Sequence, residues 1–428
     1  MSTQTDNTVE PGPGEVDRPA AGAPGLGAYT SRYVRRVRGG ELGSIPAIVG
    51  LVVITAFFAI VHQGFLTAYN VEALVIQAAP VIIMAIGLIF VLLLGEIDLS
   101  AGTTGGLCSA LFAVLSVRQG WSWWLSVIVG IALGLVIGLS MGWLRARLGI
   151  PSFVITLATF LGFQGITLIL IGGQGSITLQ SGPIIDLENS FVPVWLGWVL
   201  FAAFVLVYAA IKFNDALTRR RAGLTGVPFS VLLVKILVVA ILGGVFTYMM
   251  GLNRNVATNA FFATKSEGMP WSVLLLVLLF AIMHFMLSRT RYGRHVYAVG
   301  GNDEAARRAG IAISRIRISV FVICSGMAAI SGLVAASYLQ SVNSGAGAQN
   351  TLLLAVGAAV IGGTSLFGGR GRIIDAVIGG LVVAVINNGM SDLIQGANST
   401  GYNWIVTGGV LLLAAGFDAV VRSRSKAS

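Results

Sequence analysis

The chain has 428 residues, of which 56% are hydrophobic and only 10% charged, against about 25% charged in soluble globular domains. This composition excludes a soluble core and points to helices that cross a bilayer, for which runs of about 20 apolar residues suffice. The formal charge of +10 sits in arginine clusters between apolar runs, a pattern of membrane topology and anionic headgroups rather than of nucleic-acid binding.

Residues 1–43 are rich in Pro, Gly, Ala and Thr, hold no apolar run and end in Arg32, Arg35, Arg36 and Arg38. They predict a disordered cytoplasmic tail. The first apolar run starts only at Ile45 and no short apolar stretch precedes a small-residue cleavage site, so the tail does not read as a signal peptide. Hydropathy then predicts about twelve spans, at 45–61, 71–94, 103–117, 123–144, 152–171, 194–211, 229–250, 271–287, 316–340, 351–361, 373–387 and 402–421. The fold class is an all-α polytopic bundle, with one membrane domain over 44–421 and a short cytoplasmic tail at 422–428. With the N-terminus inside, all of the 27 basic residues except Arg118, Arg254, Lys265 and Lys235 fall on the cytoplasmic side. The positive-inside rule thereby sets orientation and an even number of spans. Lys235 lies within a span, close enough to its cytoplasmic end to snorkel.

Two stretches interrupt the clean helices. Residues 95–106 carry Glu96, Asp98 and Ser100 among glycines, and residues 362–372 carry Thr364 and Ser365 in a second glycine-rich run. Broken backbone near membrane depth is tolerated where it is walled by protein or lines a cavity, and such breaks in both halves of a chain point to a transport pathway. Glu96, Asp98, Ser100, Thr364, Ser365 and Asn387 are therefore candidate pathway residues. The competing reading of Asp98 and Ser100 is local capping of the next helix, and Asp375 reads as a helix-dipole partner. Asn387, Asn388, Gln395 and Asn398 cluster about the last outer loop, where they suit a hydroxylated solute or a plain hydrophilic tip.

The loop 288–315 is the most informative segment. From Arg294 to Gly310 it reads as one short helix, with Asn302 able to cap the first turn, Asp303 and Glu304 at the positive end of the dipole, Arg307 and Arg308 near the other end, and Gly310 suited to a left-handed stop. Asp303 with Arg307 and Glu304 with Arg308 are acid-before-base pairs four apart, each worth ~0.2–0.5 kcal/mol. So short a helix is marginal alone and needs something to pack on. On an aqueous face, a soluble partner would serve.

Catalytic constellations are hard to assemble. His62, His284 and His295 make no zinc-binding pattern, and Cys108 and Cys324 suggest neither a disulfide framework nor a metal site. None of Lys212, Lys235, Lys265 and Lys426 follows a glycine, so a phosphate-cradling Walker A loop is absent, and no glycine pair, Gly300-Gly301 included, follows a strand of a βαβ unit. No catalytic residues, metal or cofactor are expected in the chain itself.

Gly95-Glu-Ile-Asp-Leu-Ser-Ala-Gly102, Tyr297-Ala-Val-Gly-Gly-Asn-Asp-Glu-Ala-Ala-Arg-Arg-Ala-Gly-Ile311 and Gly362-Gly-Thr-Ser-Leu-Phe-Gly-Gly-Arg-Gly371 resemble three signature stretches of the ribose/xylose-type monosaccharide ABC permeases. The resemblance runs from about Phe65 to the C-terminus. The long basic loop 212–226 and the span after it are similar to the longer, xylose-type members, while Glu96 stands where glycine is more usual. The resemblance implies that Gly300, Gly301, Asn302, Asp303, Glu304, Ala305, Ala306 and Gly310 form the coupling helix that docks on an ATP-binding subunit, which uses the ATP and Mg. It further implies two permease copies, an extracytoplasmic sugar-binding protein as partner, membrane lipids around the bundle, and a bacterial inner-membrane location with both termini cytoplasmic. A branched-chain amino-acid or nucleoside ABC permease, and an ion-coupled sugar transporter using Asp98, are the alternatives.

Overall fold

The structure, a computed structural model, describes residues 44–180, 182–222, 228–254, 266–348, 350–394, 401–410, 412 and 416. The tails 1–43 and 422–428, Lys265, Gln395, Asn398 and residues 411, 413–415 and 417–421 of the final span lie outside the described residues. The helices are α1 (Ile45–Val61), α2 (Ala68–Leu93), α3 (Ala101–Ala113), α4 (Trp123–Leu148), α5 (Ser152–Ile171), α6 (Pro183–Asn189), α7 (Val194–Arg221), α8 (Phe229–Gly251), α9 (Trp271–Arg289), α10 (Arg291–Gly301), α11 (Asp303–Arg308), α12 (Ile313–Leu339), α13 (Thr351–Gly362) and α14 (Ile373–Leu393), and residues 401–410 are helical. Among the described residues, nine helices are long and apolar enough to cross a membrane, with α1 and α13 shorter. The chain is an all-α polytopic membrane protein.

Four short strands form two antiparallel ladders, β1 (Ser176–Thr178) with β4 (Ser341–Asn343) and β2 (Phe191–Val192) with β3 (Met269–Pro270). Ile177 faces Val342 in the first, and Val192 faces Met269 in the second. Both ladders lie at the bundle end opposite Arg145 and Arg317.

The described chain folds as two compact units. One is Val199–Val245, which holds most of α7 and α8. Within it Phe204 stacks on Tyr208 and the Lys212 ammonium sits 5.5 Å from the centre of the Tyr208 ring. Lys235 on α8 is exposed.

The larger unit is built around α2 and α12. Helix α2 starts with Thr67, whose hydroxyl accepts from the Asn70 amide, and 83% of its span is buried. Its internal Pro80 has its carbonyl held by the Ser331 hydroxyl of α12 at 2.7 Å. Helix α4 meets α12 along Gly134, Gly138 and Gly142, glycines spaced four apart and so stacked on one face, while Gly130, one turn earlier, lies against Cys108 of α3. A Cβ on Gly138 would sit 2.5 Å from the Phe321 carbonyl, and one on Gly142 would sit 2.7 Å from the Ile318 Cα. The stripe lets the two backbones touch, which is how helices gain packing energy where lipid removes the hydrophobic drive.

Candidate transport and docking site

The three signature stretches are far apart in sequence and meet at one point, main chain to main chain. Gly95 turns the chain after α2 with φ +71, and its amide bonds the Leu92 carbonyl at 2.9 Å. Gly369, in the loop between α13 and α14, donates its amide to the Leu93 carbonyl at 2.8 Å. Gly300, near the end of α10, closes the cluster: a Cβ there would lie 1.8 Å from the Leu93 carbonyl oxygen. Gly368 has φ +84, and a Cβ on it would fall 2.9 Å from the Gly95 amide and 3.0 Å from the Gly300 carbonyl. Only glycine fits these two positions without moving backbone.

The connection from Gly95 to Ser100 is gripped residue by residue from different helices. Glu96, 6% exposed, accepts from Arg145 Nε of α4 at 2.7 Å, and Arg317 Nε of α12 lies 3.4 Å from the same oxygen. The Ile97 carbonyl accepts from the Thr156 hydroxyl of α5 at 3.3 Å. Asp98, 1% exposed, accepts from the amide and hydroxyl of Ser100 at 2.9 and 2.7 Å, and the Cys324 thiol of α12 points at its other oxygen at 3.5 Å. Cys324 is seven residues beyond Arg317 on the same helix, about 10 Å deeper along the axis. The break therefore descends from a largely buried ion pair to a fully buried carboxylate. Asp98 caps the turn into α3 and sits fully buried inside the bundle.

The segment around Asn302 departs from the single helix that its caps predict. Asn302 is extended, with φ −161 and ψ 108, and splits the run into α10 and α11, so that Gly300 and Gly301 belong to the preceding helix. Its side chain caps α11 by accepting from the Ala305 amide at 2.8 Å, and Gly310 ends the turn with φ +80. Glu304 pairs with Arg308 as spacing suggests. Asp303 does not pair with Arg307: it binds Arg317 across the α11–α12 turn, because a guanidinium already half-buried by Glu96 is the better-placed partner. Ala306 is buried beneath α11, and Ala305, Ala309 and Glu304 are exposed on its outer side. A cavity of about 360 Å³ opens beside it, lined by Arg147, Arg307, Arg315 and Arg317 among others.

Helix α10 anchors this segment. The Tyr297 hydroxyl donates to the Gly371 carbonyl at 2.6 Å, and Tyr292 shares a hydrogen bond with Ser319 of α12 at 2.9 Å. Burial pushes the Tyr292 hydroxyl up to about 12, so it stays a protonated donor or acceptor throughout the physiological range.

The remaining candidates divide. Thr364 and Ser365 are buried in the glycine loop, where the Thr364 hydroxyl reaches Asp375 at 3.4 Å and Ser365 accepts from the Phe367 amide. Asp375 also accepts from Ser44 at 2.7 Å and from the Arg372 amide at 2.8 Å, forming a capping box at the start of α14. Asn387 lies fourteen residues into that helix from Ile373, about 20 Å away along it. The structure does not bring it to the Glu96 and Asp98 cluster.

The opposite end holds two buried acids that sequence reading passes over. Glu72 of α2 accepts from Arg254 Nε at 2.5 Å, and Arg254 also donates to the carbonyls of Met250 and Gly268. Glu188 of α6 is 2% exposed, accepts from the Ser272 hydroxyl at 2.5 Å and has its other oxygen buried without a hydrogen-bond partner. Burial lifts this carboxyl to about 8. Glutamate in a connection between spans carries no signal of burial in sequence; only the Phe191-Val192 strand that follows it hints that the connection is folded.

Spanning helices, a buried break held by polar side chains, and a short capped helix packed at one end of the bundle describe a polytopic membrane transport component. The chain belongs to the family described as branched-chain amino acid transport system / permease component, which matches residues 70–415. It is 35% identical to the xylose transport system permease protein XylH of Escherichia coli (strain K12) over 382 residues, 88% of this chain and 92% of that protein. XylH of Haemophilus influenzae is 34% identical over 87% of this chain and 94% of its own length. The ribose import permease protein RbsC of Bacillus subtilis is 29% identical over 89% of this chain and 94% of its own length. No solved structure matches the chain.

Proposed function

We propose that the chain is the membrane subunit of an ATP-driven importer for a monosaccharide, xylose or a related pentose or hexose. The observation that carries this reading is the graded similarity: 35% and 34% identity to the xylose permeases against 29% to a ribose permease, each over most of both chains. The chain supplies the pathway and the docking helix α11 and contributes no ATPase site. An ATP-binding subunit on the cytoplasmic side hydrolyses ATP with Mg, a sugar-binding protein delivers solute to the outer end, and two copies of this chain form the pathway in the bacterial inner membrane with both termini cytoplasmic. Transport then proceeds by alternating access, biased by contacts at both faces.

The test is reconstitution of the chain in proteoliposomes with its ATP-binding subunit and sugar-binding protein, followed by uptake of labelled xylose. Uptake that requires ATP and is competed by pentoses supports the reading. Uptake driven by an ion gradient without ATP overturns it, and ATP-dependent uptake competed by leucine rather than by sugars moves the chain to amino-acid transport.

A further inference from the structure

Arg317 is shared by two carboxylates that belong to different machinery. One is Asp303, the first residue of the docking helix α11; the other is Glu96, in the buried connection that carries Asp98. Glu96 in turn is fixed by Arg145 at the end of α4, at 2.7 Å. Two acids and two guanidiniums make a neutral set that runs without a gap from an exposed helix into the bundle. The side chains grow less accessible along it, from 41% exposed at Asp303 through 20% at Arg317 to 7% at Glu96.

The set is unevenly satisfied. Arg145 meets Glu96 in good hydrogen-bond geometry, whereas the buried Arg317 Nε faces the same oxygen at 3.4 Å and completes no hydrogen bond. Arg317 thus leans toward Asp303 and has an unfilled donor aimed at Glu96. Displacing α11 would carry Asp303 away and let Arg317 close on Glu96. Two discrete pairings of one guanidinium form a two-state element whose balance both ends can bias. What lies beyond Glu96 cannot move freely: Gly95 is clasped by the glycine loop, and Asp98 is held against Cys324, on the same helix as Arg317.

We propose that Glu96 is the positioning residue that passes movement of the docking helix, through Arg317, to the Asp98 segment. This rests on the reading of α11 as the ATPase dock. A structural role alone would need only the Arg145 pair; the second guanidinium, shared with the docking helix, is what links the two sites.

The experiment measures sugar moved per ATP hydrolysed by the full reconstituted importer. Glu96→Gln should lower this ratio about tenfold, within the ordinary range of coupling between sites. Arg317→Gln should lower it similarly, and the double variant should be no worse than either single one, because both break one connection. Glu96→Asp, which keeps the charge, should recover most of the ratio. An unchanged ratio in Glu96→Gln overturns the proposal, as does a fall in uptake and hydrolysis together with their ratio constant, or a double variant whose loss is the product of the two. Should Glu96→Gln fail to insert, Asp303→Asn on the aqueous helix reads the same link, and a wild-type ratio there overturns it. Wild-type uptake that ignores ATP would instead sink the importer reading itself, which separates the two failures.

Discussion

Helices α2 and α8 match in hydropathy, yet 83% of the α2 span is buried and 6% of the α8 span. Sequence periodicity does not separate them, since both are apolar on every face. Composition does. Helix α2 carries Ala78, Ala79, Pro80, Ala85 and Gly87 together with buried Asn70 and Glu72, while α8 is dominated by large aliphatic residues such as Leu233, Val234, Leu237, Val238, Ile241 and Leu242, all exposed. In a bilayer, small and polar residues mark the helix that other helices touch, and large aliphatic ones the helix that meets lipid.

The contrast can be broken most severely at a polar anchor. Arg254→Met should cost about 3–5 kcal/mol, because it leaves the Glu72 carboxylate of α2 buried without its partner. Thermal unfolding in detergent would measure it, and a loss no greater than that of an exposed arginine would show the pair to be dispensable. A smaller effect separates the two kinds of glycine. Gly138→Ala should cost about 1–3 kcal/mol, since its Cβ would strike the Phe321 carbonyl, whereas Gly244→Ala in α8 meets nothing nearer than 3.7 Å and should be neutral or slightly stabilising.

Much of this was legible in the sequence and some of it was not, for physical reasons that differ by residue. The nine long apolar helices among the described residues follow from hydropathy, and the Asn302 cap, the Gly310 stop and the Glu304–Arg308 pair depend on neighbours within a turn or two. The Arg254–Glu72 and Ser44–Asp375 contacts join residues 182 and 331 positions apart, and nothing local announces them. Asp303 shows the boundary between these cases: spacing offered Arg307, and packing supplied Arg317. The glycine stripe of α4 is visible at its four-residue interval, but which helix it meets is decided only by the fold. Likewise the breaks at 95–106 and 362–372 are readable one at a time, and their meeting with Gly300 is not.

Helix α11, the proposed dock for the ATP-binding subunit, sharpens the comparison from the end of the bundle. Ala305→Asp, placed on an exposed small residue, should leave the spans intact yet remove the ATP-binding subunit on co-purification and cut uptake about tenfold or more. Arg307→Ala should do far less, having no ion pair with Asp303 to lose. Wild-type uptake in Ala305→Asp would make α11 a solvated turn.

The smallest effect is expected to be local and pH-dependent. Glu188 holds α6 on α9 through Ser272, and its folded carboxyl is lifted by burial from 4.5 to about 8. The folded form therefore keeps a proton that the unfolded chain releases, so this contribution to stability is complete below about 4.5 and is lost as pH rises toward about 8. Amide exchange across residues 183–189 should be slower at pH 5 than at pH 8.5 after correction for intrinsic rates, and Glu188→Gln should flatten the difference. Equal protection at both values would assign α6 to other contacts.

The meeting of Leu93, Gly300 and Gly368 is made of peptide groups alone, and a joint without side chains has no rotamers to rearrange. Its fit is indifferent to what the neighbouring residues recognise. Substitutions in the side chains around it can therefore accumulate without disturbing this contact.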